Sequence, residues 1–181
     1  MKNFPVKING KEYWISRSVA VVVFVLRENN NNIELLIEKR GKGATDEIRK
    51  WCTVCGYLDY DETLEEAAKR ETKEETGFDI DINKLKFMKI NSNVTENNQN
   101  VSVHYIYKAN SSENFNIKKA MGGEKNEIEA VKWLKVGTFK NNKKLLIDPY
   151  KIMEYNWAFG HNLILLEYLS VEYDIDYEKE K

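Results

Sequence analysis

The stretch Arg70–Phe78, RETKEETGF, places Glu71, Glu74 and Glu75 close together on what reads as one helix. Leu64, Ala67, Ala68 and Glu71 fall at i, i+3, i+4 and i+7, and Glu74 and Glu75 extend the same stripe. A face that begins as core therefore ends in carboxylates. Like charges at these spacings cost about 0.2–0.5 kcal/mol each. The last helical turn prefers cations by about 0.3–1 kcal/mol per charge. Partial burial of unpaired carboxylates costs more again. A divalent cation removes all of these penalties, and hard ions such as Mg²⁺ take oxygen ligands while leaving positions for phosphate oxygens. The competing reading is a solvated acidic face.

The helix that positions them is well specified, from about Thr63 to Thr76. Thr63 and Glu66 fit a capping box, and Gly77 fits the left-handed position just past the end. Glu65 with Lys69, and Glu66 with Arg70, are spaced to pair on the solvent face. Upstream, VKINGKEYWI reads as a hairpin turning at Asn9-Gly10. SVAVVVFVLR reads as a buried strand, Asn29 to Asn32 as a hairpin tip, and IELLIEK as the returning strand. RGKGATDEIRK is a loop, WCTVC a short strand and GYLDYDE an acidic loop. Downstream, KLKFMKINSNV, NVSVHYIYKA and EIEAVKWL read as strands. The polar loops TENNQN and Asn110 to Asn126, the latter with Gly122-Gly123, separate them. Asp148-Pro149 starts a late helical region through LILLEYLSVEY, with a break near Gly160. DYEKEK reads as a frayed tail. Strands with one central and one late helical region predict an α/β fold, a mixed β-sheet sandwiched between helices.

The chain's 181 residues suit one domain, 1–181, with residues 1–17 as an N-terminal β-hairpin extension. Met1 to Ser18 is a candidate homodimer contact. Twenty-eight basic side chains nearly balance twenty-nine acidic ones. No broad basic field results, which argues against extended nucleic acid as a partner. The longest apolar run, Val19 to Leu26, is too short to span a membrane, and the first ten residues lack a signal-peptide core. Two cysteines make no disulfide framework, so a reduced cytoplasmic setting is expected.

The flanks of the acidic cluster sharpen the reading. Gly56, five residues, Glu62, seven residues and Arg70-Glu71-Thr72-Lys73-Glu74-Glu75-Thr76-Gly77-Phe78 resemble the Nudix box, G-x5-E-x7-R-E-U-x-E-E-x-G-U. Every fixed position matches, and Thr72 departs mildly at the first bulky position. Val54-Cys55-Gly56 stands where the family often has Pro-Gly-Gly. The resemblance implies a loop–helix–loop in which Glu71, Glu74 and Glu75 ligate Mg²⁺ or Mn²⁺, with the Gly56 carbonyl completing the site. It implies a supporting Glu62–Arg70 pair. It also implies hydrolysis of a nucleoside diphosphate linked to another group X, by attack of water on phosphorus. The expected partner is thus a small nucleotide substrate.

Two positions for the general base follow from that resemblance. One is Glu74 or Glu75 in the helix. The other is a loop glutamate before the Trp133 strand, with Glu127 chosen and Glu124 as substitute. Arg40 and Lys42, in the loop after IELLIEK, are candidates to clamp phosphate oxygens. Tyr57, Tyr60 and Phe78 are more simply packing than base-stacking residues.

Other classes fit less well. WCTVC has the look of a thioredoxin-like motif, but that chemistry needs a helix N-terminus at the first thiol, and Gly56 and an acidic loop follow instead. A zinc site lacks a second ligand pair, since only His104 and His161 remain. An EF-hand reading of DYDETLEE fails because Leu64 stands where the turn glycine belongs. A non-hydrolytic nucleotide-sensing or protein-binding member of the fold would be expected to lose box carboxylates. Isopentenyl diphosphate isomerase, of the same fold, needs more histidines.

Overall fold

Two asparagine turns frame the β structure. Asn9 and Gly10 take φ of 49° and 82°, and Asn30 and Asn31 take 47° and 62°. Consecutive left-handed residues of this kind match the twist of a tight hairpin, and asparagine and glycine reach them at least cost. The first turn joins β1 (Phe4–Ile8) to β2 (Lys11–Ile15) in a separate two-stranded sheet. The second joins β3 (Val19–Asn29) to β4 (Asn32–Arg40). The computed structural model describes residues 3–94, 100–110, 126–140 and 144–177. Glu124, the Gly122-Gly123 loop, all of TENNQN but Asn100, and the last four residues of DYEKEK lie outside them.

Among the described residues the main sheet has nine strands, mixed in direction. Its path runs β11 (Ile175–Tyr177), β10 (Leu145–Ile147), β9 (Ile128–Phe139), β4, β3, β8 (Val101–Ala109) and β7 (Lys86–Asn91). β3 and β8 are parallel, as are β10 and β11, and the other pairs on the path are antiparallel.

Alternation along β3 and β4 builds two cores, one on each face. Val21, Val23, Val25 and Leu36 pack with Ala67 and Ala68 of α1 (Leu64–Thr76). Val22, Phe24, Leu26, Leu35 and Ile37 pack with Ile152 of α2 (Pro149–Met153) and with Leu165 and Leu169 of α3 (His161–Glu172). The sheet is therefore sandwiched between helices, as the sequence predicts. The late helical region divides at Gly160, which takes φ of 68° and leads into α3.

The sequence reading needs correction in three places. WCTVC is two strands: β5 (Trp51–Cys52) pairs with β4, and β6 (Val54–Tyr57) pairs with β3. Thr53 sits at the break, donating its hydroxyl to Val23 O at 2.5 Å and its N–H to His161 Nδ1 at 3.3 Å. β3 and β4 pair directly only from Leu26 to Asn29, so β5 and β6 fill the fork beyond. Asp176 and Tyr177, read as the start of a frayed tail, are strand instead, because β11 pairs with β10. The pairs Glu65–Lys69 and Glu66–Arg70 do not form. Glu65 accepts from the Tyr105 hydroxyl at 2.9 Å, Glu66 closes the capping box, Lys69 meets Asp79 at 3.2 Å, and Arg70 turns to Glu62.

Candidate active site

The box folds as loop, helix and loop. Thr63 caps α1 reciprocally with Glu66, and Gly77 closes it at φ of 73°, donating its N–H to Lys73 O. That φ excludes most side chains at Gly77. Ala67, Ala68, Thr72, Glu75 and Thr76 are the buried residues of the helix. Thr72 fills the bulky position of the box by donating its hydroxyl to Ala68 O at 2.6 Å, which satisfies it in the core.

The three box glutamates are not equivalent. Glu75 is buried, and its Oε2 accepts from the Cys55 N–H at 3.2 Å. Glu71 is largely buried, while the Glu74 side chain is half exposed. Gly56 lies directly against Glu71: a Cβ on Gly56 would fall 2.0 Å from Glu71 Oε1. Only glycine lets the β6 backbone and this carboxylate come so close.

Arg70 organises the outer part of the cluster. Its Nε and Nη2 donate to Glu62 at 3.0 and 2.6 Å, a two-pronged pair. Its Nη1 donates to Glu71 at 2.7 Å and to Glu74 at 3.3 Å, and Nη2 also donates to Tyr57 O at 3.0 Å. Arg70 holds the Glu62 carboxyl below its ordinary range. Burial pushes the Glu71 carboxyl up, against the pull of Arg70 and with Glu74 and Glu127 adding repulsion. One guanidinium thus already compensates part of the charge that the sequence pattern assigns to a cation.

The other candidates lie around this centre. Glu127 precedes β9, is half-buried, and is near enough to Glu71 to repel it; its carbonyl accepts from Gly41 N at 2.6 Å. Arg40 closes β4 rather than standing in a loop. It is buried, donates to Asp46 O at 3.0 Å and Asp46 Oδ1 at 2.8 Å, and lies over the Phe159 ring at 5.1 Å. Lys42 is exposed in the following loop. Phe78 is core, edge-on to Tyr107, whereas Tyr57 and Tyr60 are exposed. Cys52 is buried in β5, and burial pushes its thiol up, the opposite of an activated N-terminal thiol.

Sequence reading missed Glu38. It is fully buried on β4, its Oε1 accepts from the Cys52 thiol at 3.4 Å, and its carboxyl lies near enough to that of Glu75 to repel it. Burial pushes both carboxyls well up. The signal was available: period two puts Glu38 on the face of Leu36, where a hydrophobic residue is expected. His161 was weighed only as a zinc ligand, yet it is buried against Thr53, and burial lowers it to about 3.

These residues can hold a hard divalent cation by donor type. The donors are carboxylate oxygens, and the Gly56 backbone is pressed against one of them. Among the described residues no three His, Cys, Asp or Glu side chains already converge as an ion cage. Arg70 holds Glu71 and Glu74, so cation binding competes with that guanidinium.

Comparison with known proteins bears on the same region. The family model described as NUDIX domain matches residues 16–155. No curated protein matches the chain. Among solved structures, a MutT/nudix family protein from Enterococcus faecalis superposes with a TM-score of 0.67 at 18% identity, over 88% of this chain and 63% of that one. This chain therefore spans less than two thirds of that protein. The NUDIX domain of Shewanella oneidensis NrtR, complexed with ADP ribose, gives 0.62 at 18% identity, over 87% and 88% of the two chains. A C. elegans Ap4A hydrolase gives 0.57 at 16% identity, over 85% and 96%. At these identities the likeness establishes the fold.

Proposed function

The chain belongs to the Nudix family, and from that premise we propose that it is a Mg²⁺- or Mn²⁺-dependent pyrophosphohydrolase, acting on a nucleoside diphosphate linked to another moiety. The observation that carries this is the contact of Gly56 with Glu71, beside Glu74 and Glu75 at the end of α1. That approach, with two further glutamates beside it, supports a site that handles polyanionic phosphates through a bound cation. Glu71, Glu74, Glu75 and the Gly56 carbonyl would hold the cation. When bound, it neutralises phosphate charge and lowers the pKa of water.

The protein's own groups supply the rest. Arg70 and Glu62 fix the outer edge of the helix against the loop before it. Glu127, Glu74 or Glu75 takes a proton from the attacking water as the phosphorus–oxygen bond of the anhydride breaks. Lys42 and Arg40 neutralise phosphate oxygens, which for Arg40 means exchanging Asp46 for the substrate. The neighbour complexed with ADP ribose and the neighbour that is an Ap4A hydrolase support the nucleoside-diphosphate class. No helix of the described residues is long and apolar enough to cross a membrane.

The test is a panel of nucleotide sugars, ADP-ribose, dinucleoside polyphosphates and dinucleotides, each with Mg²⁺, Mn²⁺ or chelator, with products separated by chromatography. Metal-dependent cleavage at the anhydride is expected. Nucleotide binding without turnover of any member would favour the non-hydrolytic reading.

A further inference from the structure

Arg70 compensates Glu62, Glu71 and Glu74, but it does not reach Glu75. Among the described residues neither Glu75 nor Glu38 makes an ion pair. Arg40, two positions along from Glu38, is committed to Asp46. The inner carboxylate of the box therefore faces a second carboxyl, brought by the central sheet rather than by the helix. Glu38 is 0% exposed, and its Oε2 has no hydrogen-bond partner. Its other oxygen is engaged by the Cys52 thiol. A buried acceptor without a partner is costly, and two carboxyls placed together are more so.

Resting on the reading of the site as a divalent-cation centre, we propose that Glu38 is a further ligand of that cation, donating Oε2 from β4 opposite Glu75 of α1. This goes beyond the box, whose acidic residues all come from the helix and its flanks. A hard ion bound by two carboxylates, with its remaining positions left for water and phosphate oxygens, is an ordinary Mg²⁺ arrangement. It needs no preformed cage of three side chains, and none is present among the described residues. The placement has a mechanical consequence too. A cation held by both residues ties α1 to the central strand β4, whereas one held by Glu71, Glu74 and Glu75 alone ties only α1 to itself and to β6.

The experiment measures Mn²⁺ binding by electron paramagnetic resonance and Mn²⁺-induced change in melting temperature. It compares the whole chain with Glu38→Gln, Glu38→Ala and Glu75→Gln. Glu38→Gln keeps the shape and the acceptor for Cys52, so it is expected to melt in chelator at or above the parent temperature. It is expected to bind Mn²⁺ at least about tenfold more weakly, with most of the metal-induced shift lost. Glu38→Ala is expected to bind as weakly or more so. Unchanged Mn²⁺ affinity in a folded Glu38→Gln, with Glu75→Gln impaired, overturns the ligand role and leaves the cation centre standing. Absence of Mn²⁺ binding by the parent chain overturns both. Should Glu38→Gln fail to fold, Mn²⁺ anomalous scattering from crystals of the parent decides. A peak about 2.1 Å from Glu38 Oε2 supports ligation, and a peak beyond its reach refutes it.

Discussion

Replacing Arg70 tests whether the acidic cluster is held by one guanidinium. Its Nε and Nη2 both bind Glu62, at 3.0 and 2.6 Å, and Nη1 binds Glu71 at 2.7 Å. Hydrogen bonds to charged groups are worth about 1.5–3 kcal/mol each, and stripping one partner from a buried pair costs about 3–5 kcal/mol. Arg70 is a quarter exposed and Glu74 half exposed, so the lower end applies and the Glu74 contact adds little. Arg70→Ala should therefore destabilise the metal-free chain by about 3 kcal/mol. Arg70→Lys keeps the charge but not the fork, and should cost about 1–2 kcal/mol. The assay is urea unfolding in chelator, run as a cycle with Glu62→Gln. Coupling between Arg70 and Glu62 should be about 1–3 kcal/mol. In excess Mn²⁺ the deficit of Arg70→Ala should shrink, because Glu71 is released from its competitor. A coupling under about 0.5 kcal/mol, or a deficit indifferent to metal, would refute the reasoning.

Other perturbations follow from the same geometry. Gly56→Ala puts a methyl 2.0 Å from Glu71 Oε1, so that carboxylate must swing aside; it should weaken Mn²⁺ binding in a calorimetric titration with little loss of stability in urea, because only the movable end of a side chain is displaced. Glu75→Gln should abolish turnover on whichever substrate the parent cleaves, while its melting temperature in chelator equals or exceeds the parent's, since a carboxyl facing Glu38 is removed. His161 is held neutral with its pKa lowered to about 3, so the unfolded chain takes up its proton first as pH falls. The stability it contributes is present above about pH 6.5 and is lost as acid is added toward its folded value. Lowering pH from about 6.5 to about 4.5 should cost roughly 2 kcal/mol through this group alone, and His161→Gln should remove that part of the acid sensitivity in pH-dependent melts.

Much of the box was legible because its signals are local. A threonine three residues before a glutamate specifies one helix end, and a glycine specifies the other. The unbroken apolar run of β3 likewise marked a buried strand, though not which residues face which helix. What stayed hidden depends on which strands lie side by side. Period two places Glu38 on the helix side of the sheet, but nothing local says that Glu75 ends opposite it. The break at Thr53 left β5 only two residues long, too short for any periodicity to show. β10 and β11 are equally short, and β11 is extended only because β10 lies beside it. The two expected ion pairs on α1 went unmade because Tyr105, Thr63, Asp79 and Glu62, each outside the helix, offered the same side chains better partners.

The fork between β3 and β4 has a consequence for how such a molecule changes over time. Past Leu26 each strand is zipped to its own neighbour, β6 on one side and β5 on the other. The connection from Gly41 to Lys50 leaves one arm only, while the box helix hangs from the other. Residues added at that connection shift neither ladder, so the rim on that side can lengthen while the box helix stays in register with the sheet.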